Sequence, residues 1–281
     1  MTALDAIVVL TLTSAVVTWL AMPLLYGLSS RAGWLAENYL GRKIPSSGGL
    51  MLLPGLSLAW LAYLIIGAPQ AEPAASRLIQ PAIILVWGFA LLGFLDDRGG
   101  VAEHGGFRYH FSTLLQGRLT TGGAKAIGGG ILALLASLSG ENNLGVALLN
   151  AVLIALCANL INLFDVRPGR AVKAFGLLTM PVAAAAIFRV DLAILLFPVL
   201  GGVAIVGASD LKGNLMLGDT GANLLGAVAG LGLAGLGSWP TTLGALLIVG
   251  GINLLTEKLS LNAQIQKSSL LSWFDKLGRR E

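Results

Sequence analysis

Charge is what this sequence has least of. Asp, Glu, Lys and Arg make up 11% of its 281 residues, where a soluble globular domain carries about 25%. That shortage excludes a fold with a fully solvated surface. It equally excludes intrinsic disorder, which needs high charge and few apolar residues. Cysteine is reduced to Cys157, inside an apolar run, so neither an intrachain disulfide nor a thiolate zinc site can be built. Histidine occurs only at His104 and His110, in one polar loop, where solvation or phosphate contact suits them better than metal binding. No basic stretch precedes the first apolar segment and no cleavage site follows it. Residues 4–28 therefore read as a retained span, not a signal peptide.

Apolar residues fill the space that charge leaves. The chain is 56% hydrophobic with a mean hydropathy of +0.82. At roughly 20 residues per span, its length accommodates about eight to ten helices. Nine apolar segments are expected to be helical, at 4–28, 48–66, 79–95, 124–139, 144–163, 174–188, 192–208, 220–237 and 240–256. The expected fold is all-α, a polytopic transmembrane bundle over residues 1–256, followed by a tail, 257–281, that reads as an interfacial amphipathic helix. The 38 glycines suit close helix packing. Gly226 and Gly230 fit either packing within the bundle or a homodimer.

Basic charge alternates sharply between loops. All but two of the 18 Lys and Arg fall on one set, and Arg77 and Arg189 alone fall on the other. The positive-inside rule puts the first set in the cytoplasm, with the N-terminus outside and the C-terminus inside. An odd number of spans agrees with that. The net charge of +4 reflects this basic face and does not call for nucleic acid. The expected location is the plasma membrane, with the active face cytoplasmic.

Four carboxylates end or begin spans on that face. Asp96 and Asp97 close LLGFLDD, Asp165 closes NLINLFD, and Asp219 opens MLGDTGANLLG. Acids at membrane depth are costly and need a partner or a role. Adjacent aspartates repel unless a cation neutralises them. An oxygen-only cluster suits Mg²⁺, which binds one or two carboxylates together with substrate phosphates. Lys43 precedes Gly48-Gly49 at the second span, and Lys125 follows Gly122-Gly123 at the fourth; Arg167, Arg170 and Lys173 follow Asp165. Helix-opening glycines can direct N–H groups at an anion. Carboxylates for Mg²⁺ with basic residues for phosphate are the parts of phosphoryl transfer. Asn159, Asn162 and Asp165 share a helix face by their spacing of three, and Asn223 continues the face of Asp219. These asparagines serve either interhelical hydrogen bonding or ligand contact.

In their order, LLGFLDD, the glycine-preceded Lys125, NLINLFDVRPGRA and MLGDTGANLLG, with RKIPSSGG before them, resemble the polyprenyl-phosphate N-acetylhexosamine-1-phosphate transferases. That superfamily includes phospho-N-acetylmuramoyl-pentapeptide transferase. The resemblance spans residues 40–255. It implies a membrane bundle with a cytoplasmic Mg²⁺ site, where a polyprenyl phosphate attacks the β-phosphate of a nucleotide sugar such as a UDP-amino sugar. The products would be a lipid-linked pyrophosphoryl sugar and a nucleoside monophosphate. Asp96 and Asp97 would bind or activate the lipid phosphate, Asp219 with Asp97 would hold Mg²⁺, and Lys43 and Lys125 would hold phosphates. Asn162 and Asp165 would shape the nucleotide pocket.

The chain departs from the family pattern in three ways. Where relatives read D-G-x-D-G, this chain has Asp165-Val166-Arg167-Pro168-Gly169, with Pro168 in place of the second aspartate. No histidine follows the ninth segment, and no further span is expected after it. The expectation is a divergent enzyme with altered sugar-nucleotide recognition. The alternatives are a lipid-phosphate-binding or regulatory protein without turnover and a transporter of a phosphorylated lipid or anion. A transporter would favour acids near the bilayer midplane, and these stand at span ends.

Overall fold

The computed structural model describes residues 2–67, 73–99, 121–141 and 143–279. The histidines His104 and His110, with Arg108 and Arg118, lie outside the described residues. The architecture is a helical bundle: α1 Ala3–Arg31, α2 Leu53–Ala62, α3 Pro73–Arg98, α4 Thr121–Gly140, α5 Leu144–Phe164, α6 Arg170–Ala186, α7 Val190–Leu211, α8 Gly218–Ala234 and α9 Trp239–Lys258, then the short α10 Leu261–Lys267 and α11 Ser269–Lys276. Among the described residues, seven helical segments are long and apolar enough to cross a membrane. Both α6 and α8 are 17 residues long, about 25 Å at 1.5 Å per residue, short of a bilayer core of about 30 Å. The chain is a multi-pass membrane protein.

Position in the bundle follows from which faces are apolar. Helix α8 is small and apolar all round, and every residue from Thr220 to Leu233 is buried. It forms the central post, packed chiefly on α5 and α3. Gly226 lies against Cys157 and Ala158, and Gly230 against Ile154, so this small-residue face is used inside the bundle. Helix α1 is the opposite case. It buries the stripe Ala6, Leu10, Ser14 and Thr18 on α7 and α2, while Leu12, Trp19, Leu20 and Leu24 stand exposed. An apolar surface of that extent belongs in lipid.

Two features differ from the expectation of a helical bundle with a single tail helix. A small antiparallel hairpin, β1 Leu35–Glu37 and β2 Lys43–Pro45, pairs Leu35 with Pro45 and Glu37 with Lys43. Its turn is held by the Asn38 side-chain carbonyl, which accepts from the Leu40 and Arg42 amides. Asparagine is a strong turn former for that reason, and the signal was short enough to pass unnoticed between two spans. The tail, in turn, is two helices rather than one, broken at Ser268, whose hydroxyl caps α11 through the Leu271 amide.

Candidate active site

The end of the bundle where α3 and α5 finish and α4 and α8 begin is built around one capping interaction. Helix α8 has no side-chain cap of its own. Asp97, at the end of α3, supplies it. One of its oxygens accepts from the Asp219 amide at 3.0 Å, and the other from the Thr220 amide and hydroxyl at 3.2 and 2.6 Å. The Ser47 hydroxyl adds a fourth bond at 3.1 Å. A carboxylate here satisfies orphan amides and meets the positive end of the helix dipole. The close approach depends on glycine: a Cβ on Gly93 would strike the Asp219 backbone, and Gly218, at φ +68°, lies against the Ser46 carbonyl.

The cap fixes where Asp219 points. The Lys125 ammonium, from the first turn of α4, bridges the Asp96 and Asp219 carboxylates, at 3.0 Å from Asp96. The three side chains are 24–30% exposed, so a solute can reach them. Behind Asp219 the Asn162 amide donates to the Asn223 side-chain carbonyl at 3.2 Å, and Asn223 donates to the Asp219 backbone carbonyl at 2.6 Å. A cavity of about 250 Å³ opens alongside, with Ser46, Asp97, Arg98, Asp165, Gly218 and Asp219 among its walls. That is below the roughly 300–1,000 Å³ of a whole small-molecule site. Enclosure by protein, then repulsion from Asp210, Asp219 and Asp97, holds the Asp165 carboxyl well above the ordinary carboxylate range.

The structure therefore brings together Asp96, Asp97, Lys125, Asp165, Asp219, Asn162 and Asn223. Other expected site residues lie apart from this cluster. Asn159 donates across to Asn253 of α9 at 2.7 Å, an interhelical bond. Arg170 is 6% exposed and forms a two-pronged bridge to Asp275 of the tail, both arms 2.8 Å, with a third bond to Asn262. Lys173 donates to the Phe274 and Asp275 carbonyls, 2.8 Å each. Both hold the tail on the body. Arg167 lies over the Tyr39 ring, and Lys43 stands exposed on the hairpin. The amides of Gly48 and Gly49 donate to the Met216 and Leu217 carbonyls and do not face an anion.

Four residues went unread in the sequence. Ser47 and Thr220 complete the Asp97 cap. Asp210, 2% exposed, accepts from the Gly169 amide at 2.7 Å and joins the turn after α5 to the turn before α8. Arg98 lines the cavity, donates to Ser46 at 2.6 Å, and keeps a buried Nε with no partner among the described residues. Its place directly after the aspartate pair was the available signal.

No group of three or more His, Cys, Asp or Glu gathers as a metal cage among the described residues. The two carboxylates that share the Lys125 ammonium nevertheless fit Mg²⁺, which needs few protein ligands when phosphates supply the rest. Asp97, with four hydrogen bonds already accepted, fits that role less well. Compared with known proteins, the chain matches no family model and no curated protein.

Proposed function

We propose that this membrane protein transfers a phosphosugar from a nucleotide sugar to polyprenyl phosphate, with Mg²⁺ held by Asp96 and Asp219. The observation that carries this reading is the Lys125 ammonium seated between those two carboxylates beside a cavity of about 250 Å³. Two acids that converge tightly enough to share one cation are already arranged for a divalent one.

An oxygen of the lipid phosphate would attack the β-phosphorus of the nucleotide sugar. The bond from that phosphorus to the bridging oxygen would break, and nucleoside monophosphate would leave with the electron pair. Mg²⁺, when bound, supplies charge neutralisation for the phosphates. Lys125 would exchange its carboxylate partners for phosphate oxygens and balance charge that grows in the transition state. Arg98, which lines the cavity beside Ser46, would orient a phosphate. Asp97 would keep α8, and hence Asp219, in place. The exposed apolar helix faces would hold the isoprenoid. The cluster would lie on the cytoplasmic side of the plasma membrane, where nucleotide sugars are.

The second reading is a lipid-phosphate-binding protein without turnover. Its support is that Asp97 is saturated with hydrogen bonds and that Arg170 and Lys173 are held by the tail. Purified protein incubated with Mg²⁺, radiolabelled polyprenyl phosphate and a panel of nucleotide sugars separates the two. Lipid-linked pyrophosphoryl product with release of nucleoside monophosphate is expected. No product across the panel, in a sample that binds the lipid, would leave the binding role.

A further inference from the structure

The tail carries an exposed apolar face. In α11 and the residue that ends it, Leu270, Trp273 and Leu277 are 69%, 61% and 49% exposed, and their spacing puts them on one side of the helix. At 3.6 residues per turn, Asp275 falls on the opposite side. That side is the docked one. Asp275 bridges Arg170 and Arg279, and the Phe274 and Asp275 carbonyls accept from Lys173. Docking therefore fixes the helix with its polar side on the protein and these apolar side chains outward.

Position and charge say what covers this face. Helix α11 rests on the first turn of α6, just after the membrane-spanning α5 ends at Phe164. The chain reaches it through the short α10 from α9, whose spanning part ends at Thr256. Both neighbours meet the bilayer boundary there, so α11 lies at headgroup depth, where tryptophan is favoured. Asp275 is the only acid between Leu259 and Arg280, and two arginines engage it. Lys267 and Lys276 stand exposed. This stretch thus offers cations to the outside, the complement of an anionic bilayer surface.

The docked side reaches the acid cluster. Arg279 donates to the Pro168 carbonyl at 2.8 Å, so the tail holds the turn 165–169, whose Asp165 lines the cavity beside Asp219. A helix of eight residues does not persist alone in water, and docking preforms its apolar face. Lipid that binds the preformed face stabilises docking in return. We infer that α11 is a clamp worked by anionic lipid. Its Leu270, Trp273 and Leu277 face enters the headgroup layer of an anionic membrane, Lys267 and Lys276 meet lipid phosphates, and the seated tail holds the turn that carries Asp165.

The test uses the full chain in lipid nanodiscs of phosphatidylglycerol or phosphatidylcholine, and none of its readouts depends on sugar-phosphate transfer. Amides within residues 165–170 and 269–276 should exchange at least about tenfold more slowly in phosphatidylglycerol, since each exposed lysine is worth about fivefold at an anionic surface. Lys267→Gln together with Lys276→Gln should remove that difference. Asp275→Asn, which frees the docked side, should bring exchange at 165–170 in phosphatidylglycerol to at least the phosphatidylcholine rate. In a Cys157→Ala background, a nitroxide attached at Leu270→Cys should be reached by oxygen and shielded from a water-soluble nickel chelate. Equal exchange in the two lipids, or a label open to the nickel chelate, would overturn the membrane seat. Protection confined to 269–276 would overturn the clamp. Dipolar coupling between labels on two chains would assign the face to a second copy and overturn the proposal.

Discussion

Lys125 and Asp97 divide the work of the acid cluster. Lys125 touches Asp96 and Asp219 through charge, while Asp97 accepts three hydrogen bonds from α8 and one from Ser47. Their substitutions should therefore fail differently. Asp97→Ala strips the acceptor from two amides and two hydroxyls and should cost about 2–4 kcal/mol of stability, read as a lower unfolding midpoint in detergent. Asp219→Asn keeps the backbone bonds of α8 intact. It should leave the midpoint near that of the parent while lowering sugar-phosphate transfer at least about a hundredfold, the scale of losing one group that stabilises transition-state charge. Full transfer by Asp219→Asn would refute its metal role. The aspartate pair in LLGFLDD was visible in sequence, but not that its two members differ. Only the approach of α8, permitted by Gly93, turns Asp97 into a cap.

Among elements, the tail is the one whose role changed most between sequence and structure. Read by composition, residues 257–281 are an amphipathic segment at the membrane surface. In the fold, α11 is pinned to the start of α6 by Asp275, which bridges Arg170 and Arg279, while Leu270 and Trp273 remain exposed. Burial raises the Asp275 carboxyl, but hydrogen bonds and charge from Arg170 and Arg279 outweigh it and hold it below its ordinary value. A carboxyl depressed in the folded state adds stability above the unfolded value, near pH 4, and loses it as pH falls through the folded value. The tail should stay docked at neutral pH and release below about pH 4, seen as faster amide exchange in residues 269–279. Asp275→Asn should release it at pH 7 without acid. Arg170 and Lys173 look like phosphate ligands in sequence because a basic residue beside a conspicuous acid carries no sign of which partner it takes. Their partners lie about a hundred positions downstream.

Across the whole molecule, the acid cluster occupies one end of a helical bundle whose central post is α8. Orientation in the bilayer is open to a direct check. In a Cys157→Ala background, Ser238→Cys and Ser268→Cys report on opposite ends. A membrane-impermeant maleimide should label position 238 in intact cells and position 268 only in inverted vesicles; the reverse pattern would overturn the sidedness expected from the charge pattern. The bundle was legible in the sequence because lipid imposes a one-dimensional constraint. Apolar runs must be long enough to cross, and charge must retreat to their ends. That constraint alone set the membrane class, the helical segments and the gathering of Asp96, Asp97, Asp165 and Asp219 at one end. It is silent about lateral packing, which follows from small residues such as Gly93, Gly226 and Gly230 letting particular helices touch. Packing decided that Asp97 caps α8, that Arg170 and Lys173 hold the tail, and that Asn159 bonds to α9. Hydrophobicity along the chain is an additive property of residues, whereas a hydrogen-bond partner exists only after two distant segments have met.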